Sequence, residues 1–213
     1  TQDDPVGVDT GSPAAPSDDL SNREPATAAR ERLRALRRRA RRSPLTWLLD
    51  ARSGERPLRA SVRGQVEVAR QLGKLGPGWH VLHSVNVGED DDDLGTSVVD
   101  HLVLGPPGVF ALAVRNHLRD RVKVHRRVVK VNGRMTPYLQ DVRVAPARAS
   151  EALSVALGVP VEVRPVLVVL AGHLVVRRQP DDVPVVGRKQ IARWLMEQPE
   201  RQDYDTTSAI LEV

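Results

Sequence analysis

Apolar and polar positions change their period several times along this chain, and each change predicts an element. Between Leu58 and Leu75 apolar residues stand at 58, 62, 66, 69, 72 and 75. Steps of three and four keep side chains on one face, so the spacing predicts an amphipathic helix, stopped by Gly76-Pro77-Gly78. His80–Val87 predicts a strand, followed by an acidic loop over Gly88–Thr96. Strands at Ser97–Leu104 and Val109–Arg115 form a hairpin closed by Gly105-Pro106-Pro107-Gly108. Two shorter strands, Arg121–Arg126 and Val128–Val131, lead to Asn132-Gly133, a strong turn signal. Tyr138–Leu157 reads as a helix despite Pro146 and ends at Gly158, and Val161–Leu170 is a buried strand. A hairpin-like His173–Arg177, a strand Val183–Val186, a helix Lys189–Glu197 and a last helix near Thr206–Leu211 complete the pattern. The fold class is therefore α/β (α+β), with the order α-β-β-β-(β)-α-β and a small C-terminal helical and strand addition.

The segment ahead of this domain reads differently. Residues 1–27 are rich in Asp, Pro, Ser and Gly without apolar periodicity, an acidic, Pro-rich tail expected to be disordered. Residues 28–56 hold a basic helix as far as Arg42, ended by Ser43-Pro44, then an apolar anchor Leu45–Leu49. Arg52–Pro57 reads as a linker or turn, and the globular domain is placed at 57–213.

Charge is concentrated in that basic helix. Arg30, Arg32, Arg34, Arg37, Arg38, Arg39, Arg41 and Arg42 with Glu31 give a local +7, whereas the whole chain carries +5, so everything else sums to −2. An electrostatic footprint for nucleic acid or another polyanion is thus expected at Arg30–Arg42. Cysteine is absent, which excludes disulfides and thiolate metal sites and fits a reducing, cytoplasmic setting. The N-terminal residues lack the basic and apolar regions of a secretory signal. The longest apolar run, Val166–Ala171, is far below the ~20 residues of a membrane span.

The hairpin carries the candidate chemistry. It reads VVDHLVLGPPGVFALAVRN from Val98 to Asn116, with one acid, Asp100, on its first strand and Ala113-Val114-Arg115-Asn116 closing the second. This resembles the central hairpin of the NERD (nuclease-related) domain, a branch of the PD-(D/E)xK restriction-endonuclease-like nucleases. There the pattern is roughly Asp-His-Leu-Val-Ile-Gly, Pro/Gly, Gly-Val-Phe, then Glu-x-Lys-Asn. Supporting matches are Gly64 with Leu72, Gly78-Trp79-His80-Val81-Leu82-His83, and Asn132-Gly133-Arg134. The resemblance covers roughly Leu58–Leu170 and implies a restriction-endonuclease-like αβββαβ core.

It also implies a site and its loss. Such nucleases hold Mg²⁺ or Mn²⁺ on carboxylates from neighbouring strands and from the first helix, with a Lys beside the attacking water. Carried over residue by residue, the helix acid is Gln65, the first strand acid remains Asp100, the second is Ala113, and the Lys is Arg115. Asp100 is then the one candidate metal ligand, and no cofactor is expected unless the protein is active. Arg115 keeps a positive charge able to grip a phosphate, but its pKa above ~12 prevents it from acting as a base. The register of the motif, together with alternation along a strand, predicts that Gln65, Asp100, Ala113 and Arg115 converge on one pocket.

Other residues are weighed as bystanders. Glu67 lies ~200° round the helix from Gln65, and His101 faces away from its neighbour Asp100. Glu89–Asp93 reads as a solvated loop, and His80, His83 and His173 lack metal-ligand spacing. His117 and Asp120 lie just past Arg115, and Gln140 starts the next helix. Three functions follow as expectations: an inactive nuclease-like module that binds nucleic acid or acts as a scaffold, a metal-dependent DNA endonuclease with relocated ligands, or an interaction protein whose Arg-rich helix targets an acidic surface.

Overall fold

The computed structural model describes residues 23–42, 52–88, 97–200 and 209–210. The anchor Leu45–Leu49, the acidic run Glu89–Asp93, most of the tail and most of the last helix lie outside the described residues.

The order is α1 (Thr27–Arg42), α2 (Arg52–Leu72), β1 (His80–Asn86), β2 (Val98–Gly105), β3 (Gly108–His125), β4 (Val128–Val131), β5 (Arg134–Thr136), α3 (Tyr138–Leu157), β6 (Val163–Val176), β7 (Val185–Gly187) and α4 (Ile191–Met196). The expected αβββαβ core is present, and β7 with α4 forms the C-terminal addition. All seven strands join one sheet, in which β1 pairs β2, β2 pairs β3 and β3 pairs β4, each antiparallel. The crossover through α3 returns the chain as β6, parallel to β3, with β7 parallel beyond it.

Two apolar layers cover the sheet. Val68 and Leu72 of α2 and Ile191 and Leu195 of α4 pack on Val103, Phe110, Leu112, Val114, Val166, Val168 and Leu170. On the other face α3 sets Ala145 and Ala149 over Leu102, Leu104, Val109 and Ala111, and Leu139 and Val142 over Val122, Val124 and Val129.

Several boundaries differ from the sequence reading, each for a physical reason. Arg52–Pro57 is the start of α2 rather than a linker. Pro57 stands in its second turn, where it removes the hydrogen bond that an N–H there would give to the Ser53 carbonyl without ending the helix. The buried face of α2 is Gly64, Gln65, Val68, Gln71 and Leu72, whereas Val66 is 41% exposed. Polar Gln65 and Gln71 can face inward because both find hydrogen-bond partners. Residues 23–26, expected to belong to the disordered tail, are folded: Arg23 donates to the Ser84 carbonyl at 2.8 Å and Ala26 is fully buried.

β3 is one strand of 18 residues rather than two, and His173–Arg177 is mostly the far half of β6 rather than a hairpin. The stretch 115–121, polar except for Leu118, hides this continuity from an apolar-alternation reading. Parallel pairing from Val109↔Val163 to Val124↔Val176 carries both strands through, with an irregularity between His117 and Arg121. Asn132 and Gly133 both take positive φ, 50° and 86°, which makes the two-residue connection from β4 to β5.

Candidate functional site

β2 and β4 use the same edge of β3, because β6 occupies the other. β2 pairs along Gly108–Leu112 and β4 along Val122–His125, which leaves the intervening edge of β3 without a strand among the described residues. That notch is the candidate site. Asp100 sits where β2 leaves the ladder, and the first unclaimed amide of β3, Val114 N–H, donates to its Oδ2 at 2.7 Å. Asn132 closes the far end, with Arg121 N–H donating to its Oδ1 and Asn132 N–H to the Arg121 carbonyl, both at 2.9 Å.

α2 enters from one face. Gly64 lets the helix ride close to the strand: a Cβ there would stand 3.0 Å from Asn116 Cβ and 3.2 Å from Val114 Cγ1. Asn116 fastens this approach by donating to the Ala60 carbonyl at 2.7 Å. The approach aims Gln65, 4% exposed, at Asp100, and its Nε2 donates to Asp100 Oδ1 at 2.6 Å and to Ser61 Oγ at 3.2 Å. Gln65 Oε1 is buried without a partner among the described residues.

The four positions singled out by sequence therefore lie together. Arg115 Nη1 stands 4.0 Å from Asp100 Oδ2 and donates to the Val114 carbonyl at 3.0 Å. Asp100, Ala113 and Arg115 line one cavity with Asp141 of α3, and Gln65, Asp100 and Arg115 line its neighbour with Arg32. Burial raises the Asp100 carboxyl above the usual carboxylate range. The Arg115 charge, the Val114 amide, Arg32 and the Gln65 amide oppose that shift.

Beyond Arg115 the notch holds a hydrogen-bonded row. His117 Nδ1 is 3.1 Å from Asp120 Oδ2, and His117 Nε2 is 2.8 Å from the Tyr138 hydroxyl. Asn132 Nδ2 donates to Asp120 Oδ1 at 2.7 Å. The Asn132 and His117 hydrogen bonds hold Asp120 below the usual carboxylate range. The Arg115 guanidinium stacks 5.3 Å from the centre of the Tyr138 ring.

The basic helix divides. Arg32 reaches the pocket wall, Arg30 pairs with Glu24 at 2.5 Å, and Arg34 and Arg38 are exposed. Arg37, Arg39, Arg41 and Arg42 belong to α1, but their side chains lie outside the described ones. Other bystanders separate clearly. Glu67 pairs with Arg70 at 2.9 Å, and Gln140 is exposed and lines neither cavity. His101 is fully buried beside the Gln65 backbone, its Nδ1 2.8 Å from His83 Nδ1. Tyr138, Ser61 and Asp141 were not singled out from the sequence, since isolated polar residues give no spacing to read.

No divalent metal is accommodated by this donor set. Both oxygens of Asp100 already accept hydrogen bonds, one of them from the side chain standing where a second ligand is needed. Ala113 offers no donor. No helix among the described residues is long and apolar enough to cross a membrane.

No curated protein and no solved structure matches the chain. The sequence model of NERD, the nuclease-related domain, matches residues 60–170, which span α2, the notch and β6 as far as Leu170. With the αβββαβ core and the Asp100 hairpin in place, the chain belongs to the nuclease-related domain family.

Proposed function

We propose that the protein is a catalytically silent nuclease-like domain that holds phosphate groups of nucleic acid without cleaving them. The observation that carries this reading is the Gln65–Asp100 hydrogen bond of 2.6 Å. Mg²⁺ surrenders its waters reluctantly and needs carboxylate oxygens free to bind it. Here the helix side chain consumes a carboxylate oxygen instead of adding one, and Ala113 removes the other expected ligand. Arg115 and Arg32 leave the pocket wall with positive charge, suited to a phosphate oxygen.

Purified protein is expected to show no Mg²⁺- or Mn²⁺-dependent cleavage of plasmid or single-stranded DNA, while retaining binding in a gel-shift assay. Nicking that disappears in Asp100→Ala overturns the silent reading. Gln65→Glu, Ala113→Glu and Arg115→Lys introduced together are expected to create Mn²⁺ binding measurable by calorimetry.

One observation favours the second reading, a metal-dependent endonuclease with relocated ligands. Asp141, in the first turn of α3, lines the same cavity as Asp100 and Ala113. If it replaces the lost acid, cleavage will be present and Asp141→Asn will abolish it.

A further inference from the structure

The far half of β3 presents a basic sheet face that neither the pocket nor α1 explains. Val122, Val124 and Val129 are buried beneath α3, so their alternates turn the other way, into solvent. Those alternates on β3 are Arg121, Lys123 and His125, all exposed. Cross-strand neighbours extend the row in both directions: Lys130 of β4 lies opposite Lys123, Met135 of β5 opposite Lys130, and His173 of β6 beside Arg121.

Two features make this face unlike an ordinary solvated one. Lys123 and Lys130 are direct partners in the ladder, and like charges at that position oppose pairing. Arg121, Lys123 and Lys130 have no acidic partner among the described residues, although Arg126 nearby pairs with Asp181 at 2.6 Å and Arg143 with Asp182 at 2.7 Å. A sheet that places cations in register and leaves them unneutralised is suited to an external polyanion.

We infer that the exposed β3–β4 face of Arg121, Lys123 and Lys130 is a second docking surface, taking the phosphodiester backbone of duplex nucleic acid. It deepens the nucleic-acid-binding reading above and rests on it. A duplex is favoured over a single strand because, among the described residues, the face carries no Trp, Tyr or Phe on which unpaired bases would stack. Contacts here are to phosphates and so independent of sequence. An anionic membrane is disfavoured because Met135, 75% exposed, is, among the described residues, the one large exposed apolar side chain on the face able to enter the apolar layer.

The test uses the full chain, a short labelled DNA duplex and a salt series. The triple variant Arg121→Gln, Lys123→Gln, Lys130→Gln is compared with Arg115→Gln. Counterion release contributes about −0.9 to the slope of log K against log[salt] for each neutralised phosphate. The triple variant is expected to bind more weakly and to make the slope shallower by about 2 to 3. Its Tm should be unchanged or higher, since the opposed lysines no longer repel. Unchanged affinity and slope in the triple variant, with weakened binding in Arg115→Gln, overturn this surface and leave the pocket reading standing. A chain that binds no duplex at all overturns both. Loss of binding to phosphatidylserine vesicles but not to duplex assigns the face to membranes and also overturns the proposal.

Discussion

At the scale of single residues, Asp100 is held by a duty that does not depend on catalysis. Its carboxylate caps the Val114 amide and receives Gln65, so removing the side chain orphans two buried donors. Asp100→Ala is expected to cost about 2–3 kcal/mol in chemical denaturation. Asp100→Asn is expected to lie within about 0.5 kcal/mol of the parent or above it at neutral pH. Its oxygen still caps Val114, and its amide can donate to the orphaned Gln65 Oε1 once that amide turns over. The sign follows from linkage: a carboxyl raised by burial adds stability below its unfolded pKa of ~3.9, lost as pH rises through the folded value. An Asn variant clearly less stable at neutral pH would show that ionised Asp100 stabilises the fold.

His101 gives the opposite pH dependence. Burial first, then the neighbouring His83, lower its pKa to about 3. The unfolded chain takes up the proton from about pH 6.5 downward, so stability is lost as pH falls from there toward the folded value. A drop of about 2 kcal/mol by pH ~5 is expected in a pH series of urea melts, and His101→Phe should flatten it. A wild-type curve already flat over that window would overturn this role.

At the scale of elements, the close approach of α2 to β3 sets the site. Gly64→Ala relieves a helix penalty of up to ~1 kcal/mol but drives a methyl group against Asn116 and Val114. Asn116 Cβ is fixed to the backbone and cannot retreat without moving the strand, so a net loss of about 1–2 kcal/mol is expected from thermal melts. A higher Tm would mean that the helix is free to shift. The hairpin, α2, α3 and their order were legible because each has a clear apolar period. The lengths of β3 and β6 were not, because polar residues in the notch interrupt the alternation that marks a strand. The orientation of α2 was misjudged at Val66 because Gln65 and Gln71 are buried by their partners, which hydropathy does not register. Asp100, Ala113 and Arg115 were legible through the resemblance to the NERD hairpin, with period-two alternation setting their common face, whereas Tyr138 reaches the pocket through a crossover that no local pattern announces.

At the scale of the whole molecule, α1 is part of the folded body. Ala26 and Ala29 are buried, α1 packs beside α2, and Arg32 reaches the pocket wall. The charge that sequence assigned to one helix therefore continues into the domain. If roughly half of the eight arginines engage duplex DNA, α1 contributes a salt slope of about −3 to −4. Arg32→Gln, Arg34→Gln and Arg38→Gln together are expected to make the measured slope shallower by about 2 to 3. An unchanged slope in fluorescence anisotropy would remove α1 from the interface.

The notch along β3 also bears on how the chain breathes. β3 is clamped to β2 near its start and to β4 near its end, while its opposite edge stays bonded to β6. Amides that face β6 are locked in a ladder, yet among the described residues Leu118 N–H finds the Asn116 side chain at 3.3 Å and no strand partner. Deuterium uptake should therefore be fast at Leu118, slow at the β6-facing amides on either side, and slow again beyond Val122. The longest strand of the protein would then exchange from its middle rather than fray from its ends.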